Sequence, residues 1–145
     1  MKKPLFIDTS YILALVNTHD EFHPQAQSMA DQINDKLITT EAILTEFGNA
    51  LAKLQWRQLA VDTLEDLLND NDVEILSVNR DLFSKAFKLY LSRMDKEWGL
   101  TDCISFVVMK DRKLKDALTT DHHFEQAGFQ VLLRDVKPGD NSSKN

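Results

Sequence analysis

Leu5-Phe6-Ile7-Asp8-Thr9-Ser10 is the stretch on which the fold turns: three apolar residues, then a carboxylate and two hydroxyl residues, then the apolar Tyr11-Ile12-Leu13. A short apolar run bounded by polar residues suits a strand buried on both faces. Thr9 and Ser10 are helix-cap types, because their side-chain oxygens accept from the free N–H groups of a first turn, and a helix over residues 11–16 follows. The unit is strand, acidic turn, helix.

The same alternation repeats along the chain. A polar helix over residues 24–34, with Pro24 in its first turn, leads to the strand Leu37-Ile38-Thr39. A long helix opens at Thr40 or Glu41 with Ile43, Leu44, Phe47, Leu51 and Leu54 on one stripe, and a further helix carries Leu59, Leu64, Leu67 and Leu68. Val73-Glu74-Ile75-Leu76 is the third strand, and Asn79 caps a helix whose apolar face holds Leu82, Phe83, Ala86, Phe87 and Tyr90. Thr101 caps the next helix, whose run Asp102-Cys103-Ile104-Ser105-Phe106-Val107-Val108-Met109 is apolar on nearly all sides and predicts a helix buried in the centre. Ala117-Leu118-Thr119-Thr120 is the fourth strand, leading to Asp121. A short helix ends near Gly128, and Gln130-Val131-Leu132-Leu133 is the fifth strand. Strands separated by helices predict an α/β domain of three layers, a central parallel five-stranded sheet flanked by helices. Residues 1–136 form this single domain and the polar residues 137–145 a flexible C-terminal tail.

Composition agrees with one domain: 145 residues, 43% hydrophobic and 28% charged. No apolar run approaches the roughly 18 residues of a membrane span, and the run ending at Asp8 is too short for a signal-peptide core, so a cytoplasmic location with no membrane partner is expected. A single cysteine, Cys103, allows neither an intrachain disulfide nor a Cys-based zinc site. The formal charge of −6 argues against a protein that coats nucleic acid nonspecifically. It leaves open an enzyme whose carboxylates hold cations, since their charge is then partly cancelled.

In a parallel sheet the ligand crevice lies beyond the carboxyl ends of the strands. Asp8 follows strand one, Asp121 follows strand four, and Asp102 stands in the first turn of the buried helix. Glu46 shares the angular position of Ala42 and Ala50 on its helix and is expected to face inward. Any one of the aspartates serves equally well as a helix cap, and Glu46 as a solvated residue. Gathered in one crevice, four carboxylates repel and raise one another's pKa unless a cation joins them. The cation that suits such oxygen donors is Mg²⁺ or Mn²⁺.

Four segments, Phe6-Ile7-Asp8-Thr9-Ser10, Thr45-Glu46-Phe47-Gly48-Asn49-Ala50-Leu51, Leu100-Thr101-Asp102-Cys103-Ile104-Ser105-Phe106 and Leu118-Thr119-Thr120-Asp121-His122-His123-Phe124, resemble the successive motifs of PIN-domain ribonucleases, particularly VapC-like toxins of toxin-antitoxin pairs. The resemblance covers residues 4 to 134 in the family's order and spacing. It implies that Asp8, Glu46, Asp102 and Asp121 are the catalytic and metal-binding residues of a Mg²⁺- or Mn²⁺-dependent endoribonuclease. It implies also that a small antitoxin protein is the partner, with a segment entering the acidic crevice, and that the chain forms a homodimer through residues 11–16 and 60–68. Thr9 or Ser10 would position a phosphate or a water, and Thr101 would orient Asp102. Asp95 matches an added carboxylate of some members.

The remaining chemistry-bearing residues carry two readings each. His19-Asp20-Glu21-Phe22-His23 approaches the H-E-x-x-H zinc motif, but Asp20 stands where the motif needs Glu, so a loop or helix-start pair is expected. His122 and His123 either touch a substrate phosphate or lie exposed at a helix start. Cys103 is expected to be a buried structural thiol. Lys110, Arg112, Lys113 and Lys115 either guide RNA or form a solvated helix end. Trp56 and Trp98 fall at helix ends, where interface roles are open. A catalytically silent domain that binds RNA or protein is the alternative function. An aspartyl phosphotransferase of the haloacid-dehalogenase type wants an aspartate where this chain has Ser10.

Overall fold

A computed structural model describes residues 2–133; the tail assigned to residues 137–145 lies outside the described residues. Five short strands, β1 (Leu5–Ile7), β2 (Leu37–Thr40), β3 (Val73–Leu76), β4 (Asp116–Leu118) and β5 (Gln130–Val131), pair in the order β3-β2-β1-β4-β5, every neighbour parallel. The helices are α1 (Thr9–Val16), α2 (His23–Gln32), α3 (Glu41–Ala50), α4 (Leu54–Asn69), α5 (Arg80–Ser92), α6 (Leu100–Asp111) and α7 (His122–Gln126). The chain walks from β1 through β2 to β3, then returns to add β4 and β5 on the other side of β1. Right-handed crossovers then put α1 to α4 on one face and α5 to α7 on the other. The packing of α1 on α2 and α3, and of α6 on α5 and α7, agrees with that division. The walk reverses between β1 and β4, and this switch point is where a crevice opens in such sheets.

The apolar strand residues form the core because each strand is covered on both faces. Phe6, Ile7, Ile38, Ala117 and Leu118 are buried. Helix α6 is as central as its sequence predicts: Cys103, Ile104, Phe106, Val108 and Met109 are all buried. Phe106 meets Trp98 and Phe124 edge-on, with both pairs of ring centroids 5.0 Å apart. Trp98 is thus a core residue and offers no interface. Its Nε1–H donates to Gln126 Oε1 at 2.9 Å, and the Arg93 guanidinium covers its ring. Helix α7 ends in the αL residue Gly128 (φ 97°), where the Phe129 N–H returns to Phe124 O and the Gly128 N–H to Glu125 O, a C-cap that a side chain would strain.

Several boundaries differ from the sequence reading, each for a local reason. Helix α3 stops at Ala50, and Arg57 pins the following turn by donating from Nε and Nη2 to Ala52 O. Leu54 therefore opens α4, 92% exposed, and is no part of the α3 stripe. Asp8, not Thr9 or Ser10, holds the cap position of α1: its carbonyl accepts from the Tyr11 and Ile12 N–H groups. Gly99, not Thr101, caps α6, and its N–H donates to Asp102 Oδ2 at 3.0 Å. Strand β4 ends at Leu118, which frees Thr119 and Thr120 from the ladder. Truncating Phe124, which is fully buried against Phe6 and Phe106, should cost about 3–5 kcal/mol. Urea unfolding of Phe124→Ala at fixed pH measures it.

Candidate active site

Asp8 sits at the carboxyl end of the central strand and is buried, 5% exposed. Its Oδ2 accepts from Ser10 Oγ at 3.0 Å and from Thr119 Oγ1 at 2.8 Å, and these two hydroxyl oxygens stand 3.0 Å apart. Ser10 Oγ also accepts from the Thr120 N–H, and Thr119 Oγ1 from the Asp121 N–H, both at 3.0 Å. Two hydroxyls thereby lock the end of β1 to the segment after β4 and set where Asp121 begins. Burial raises the Asp8 carboxyl from about 3.8 to about 6 against the lowering effect of its hydroxyl donors, and the Asp102 charge adds to the rise.

Asp102, in the first turn of α6, is raised for the same reason, burial first; the Gly99 N–H opposes the rise, and the Asp121 charge reinforces it. His123 Nδ1 stands 3.1 Å from Asp102 Oδ2 and 3.4 Å from Asp121 Oδ1. Asp121 caps α7 by accepting from the His123 N–H at 2.9 Å. The three aspartates are therefore coupled in sequence, Asp8 to Asp102 to Asp121, at one end of the sheet. Glu46 joins from α3 in a different posture from the one expected. It is exposed, and so is Ala50, so that face of α3 is open to solvent and not packed inward. Its Oε1 accepts from Thr9 Oγ1, and it lines an open depression of about 510 Å³ with Asn49, Phe83, Thr101 and Ile104.

Other candidates separate from this centre. Asp95 is fully exposed and held by Arg93 through bonds of 2.9 and 3.0 Å, which pull its carboxyl down to about 2. His23 opens α2 with Nδ1 against Ala14 O at 2.8 Å, a helix-start role. Cys103 is a buried thiol, pushed up to about 11 by burial. The basic run starts with Lys110 in the last turn of α6 and continues beyond the helix, roughly 12 to 15 Å along the axis from Asp102, and Arg112 is paired with Glu74 at 2.7 Å. It forms the end of α6 opposite to Asp102. The hydroxyl groups of Thr9 and Ser10 hold Glu46 and Asp8, and Gly99 with His123 orients Asp102.

Sequence reasoning does not single out Thr119, and it leaves the role of His123 open between two readings. Thr119 was read as a strand residue, yet it is the donor to Asp8; the signal available was a Thr pair directly before an aspartate at a strand end. His123 was left undecided, and its side chain proves to be only 20% exposed between two carboxylates.

The chain is thus a parallel α/β domain whose carboxylates converge at the topological switch point of its sheet. The PIN domain model matches residues 5–130, and the chain belongs to the PIN domain family. It is 27% identical over 125 residues, 86% of this chain and 95% of the relative, to the 23S rRNA-specific endonuclease VapC20 of Mycobacterium tuberculosis. The crystal structure of that protein, described as a sarcin-ricin loop cleaving toxin, superposes with a TM-score of 0.81 at 26% identity, covering 92% of this chain and 99% of the other. The same fold occurs in VapBC2 from Rickettsia felis bound to a DNA fragment from their promoter (TM-score 0.62, 13% identity, 89% and 96% covered). It recurs in FitAcB from Neisseria gonorrhoeae (TM-score 0.64, 16% identity, 88% and 96% covered).

The raised Asp8 carboxyl has a sign that can be measured. The native state holds its proton more tightly than the unfolded chain, so the metal-free fold is favoured below about pH 4 and loses roughly 3 kcal/mol as pH rises through about 6. The urea midpoint of chelator-treated protein should therefore fall over that interval, and Asp8→Asn should flatten the slope.

Proposed function

We propose that the chain is an endoribonuclease that hydrolyses RNA phosphodiester bonds with the help of Mg²⁺ or Mn²⁺, and is the toxin of a toxin-antitoxin pair acting in the cytoplasm. The observation that carries this reading is the convergence of Asp8, Asp102 and Asp121, with Asp8 and Asp102 both raised by burial and by a neighbouring carboxylate. Such a set is short of positive charge, and its oxygen donors fit a hard cation. Asp8, Asp102, Asp121 and Glu46 would hold it. When bound, the cation supplies Lewis-acid polarisation of the phosphate and a more acidic water.

The protein's own groups do the rest. Ser10 and Thr119 fix the Asp8 carboxylate so that it does not rotate out of the crevice. Gly99 and His123 fix Asp102 from two sides. Glu46 and Thr101, the residue before Asp102, border the open depression, which would receive part of a single-stranded RNA backbone. The likeness to a 23S rRNA-specific endonuclease supports RNA as the substrate.

The same negative crevice suits a basic segment of a small antitoxin, which would block substrate by occupying its place. For the homodimer, residues 11–16 offer little: Tyr11, Ile12 and Ala14 are buried within the chain. The exposed large apolar residues include Leu54, Trp56, Val61 and Leu68 on α4 and the stripe Phe83, Phe87, Tyr90 and Leu91 on α5, and the second is the better self-association surface.

Two experiments test the reading. Millimolar Mg²⁺ or Mn²⁺ should raise the melting temperature of the chelator-treated protein, and Asp8→Asn should largely abolish the shift. Purified protein should cut RNA only with the cation and should stop on adding EDTA. Asp102→Asn should lower the rate by about a hundredfold or more with the fold intact. Hydrolysis by water breaks the P–O3′ bond, so the products should carry 5′-phosphate and 3′-hydroxyl ends. Ends bearing a 2′,3′-cyclic phosphate contradict the mechanism, and RNA binding without cleavage returns the silent-domain alternative.

A further inference from the structure

The turn that follows β4 presents a nitrogen among the oxygens. Ligand atoms of Asp121, His122 and His123 all lie within 4.8 Å of one another. His123 is the informative member, because its Nδ1 reaches across to the other wall of the crevice, 3.1 Å from Asp102 Oδ2, while staying 3.4 Å from Asp121 Oδ1. Its main chain is fixed by the cap bond to Asp121, and its ring packs against His122 with centroids 4.5 Å apart. Neighbouring ligands around an octahedral cation with bonds near 2.1 Å stand about 3 Å apart. The two spacings at His123 Nδ1 are of that order, the shorter being also a hydrogen bond to Asp102, which stands outside the trio of Asp121, His122 and His123. His122, 61% exposed and 3.7 Å from Asp121 alone, lacks the second carboxylate.

We propose that His123 is itself a ligand of the divalent cation, and that its nitrogen gives the site a preference for Mn²⁺ over Mg²⁺. The inference rests on the reading that Asp8, Asp102 and Asp121 hold a cation. Mg²⁺ dehydrates reluctantly and favours oxygen donors, whereas imidazole is a good ligand to first-row transition ions, so one nitrogen in a carboxylate set shifts selectivity toward Mn²⁺. The alternative role is positioning: His123 donates to Asp102 and never meets the ion.

His123→Asn separates the two roles, since the shorter amide keeps an N–H donor on the Asp102 side but has no ring nitrogen. Mn²⁺ and Mg²⁺ are titrated separately by calorimetry into the wild type, His123→Asn, His122→Asn and Asp8→Asn, and pulsed electron paramagnetic resonance is recorded on the Mn²⁺-loaded proteins. The wild type should bind Mn²⁺ about tenfold or more tighter than Mg²⁺. His123→Asn should lose that preference through weaker Mn²⁺ binding with Mg²⁺ affinity kept. Nitrogen modulation in the Mn²⁺ signal should be present in the wild type and His122→Asn and absent in His123→Asn. An unchanged Mn²⁺ to Mg²⁺ ratio in His123→Asn, with no nitrogen coupling in the wild type, overturns the proposal and leaves the carboxylate site standing. Failure of both cations to bind the wild type overturns the carboxylate site as well.

Discussion

Asp8 is held beneath two hydroxyls, Ser10 on its own helix and Thr119 across the sheet, and the working end of the molecule is built around that contact. The bond to Thr119 joins residues 111 positions apart. It forms only when β4 lies beside β1, so the topology and the site are one requirement. The hydroxyls answer a definite physical problem: a carboxylate taken out of water must be given donors, or it becomes neutral or leaves. Here the donors suffice to place the group but not to restore its ordinary acidity, and it stays raised to about 6.

That shortfall is what makes the site functional rather than merely structural. A fully paired aspartate has no use for a cation. The Asp102 charge instead opposes the ionisation of Asp8, and the Asp121 charge that of Asp102, and among the described residues no lysine or arginine is ion-paired with any of the three. Among the described residues, the basic side chains placed against them are the imidazoles of His122 and His123. On the proposed reading, a divalent ion would offset this concentration of carboxylates and would supply the reactive chemistry.

Much of this was legible because the sheet is parallel. Each strand is followed at once by the residue it delivers, so Asp8 and Asp121 could be placed at the same end from sequence order alone. The buried helix announced itself through residues 103–109, and it brought Asp102 with it. Features that depend on how elements lie across one another were not legible. The angular position of Glu46 is correct, but which side of α3 meets the sheet is decided by tertiary packing, and the break at Ala50 shortened the stripe used to judge it. Thr119 and His123 looked like local residues because their partners, Asp8 and Asp102, are distant in the chain. Trp98 looked terminal, although the turn before α6 folds it into the core. The distance of the basic run from the crevice was legible too, since a helix that carries Asp102 to the crevice at its start carries Lys110 and Arg112 away from it at its end.

The central claim is that these carboxylates form one cation site at the switch point of the sheet. Diffraction from crystals grown with Mn²⁺, recorded at the manganese absorption edge, tests it most directly. The account predicts an anomalous peak bounded by Asp8, Asp102 and Asp121. A fully ordered crevice with no peak, or a peak only at surface carboxylates such as Asp95, contradicts it.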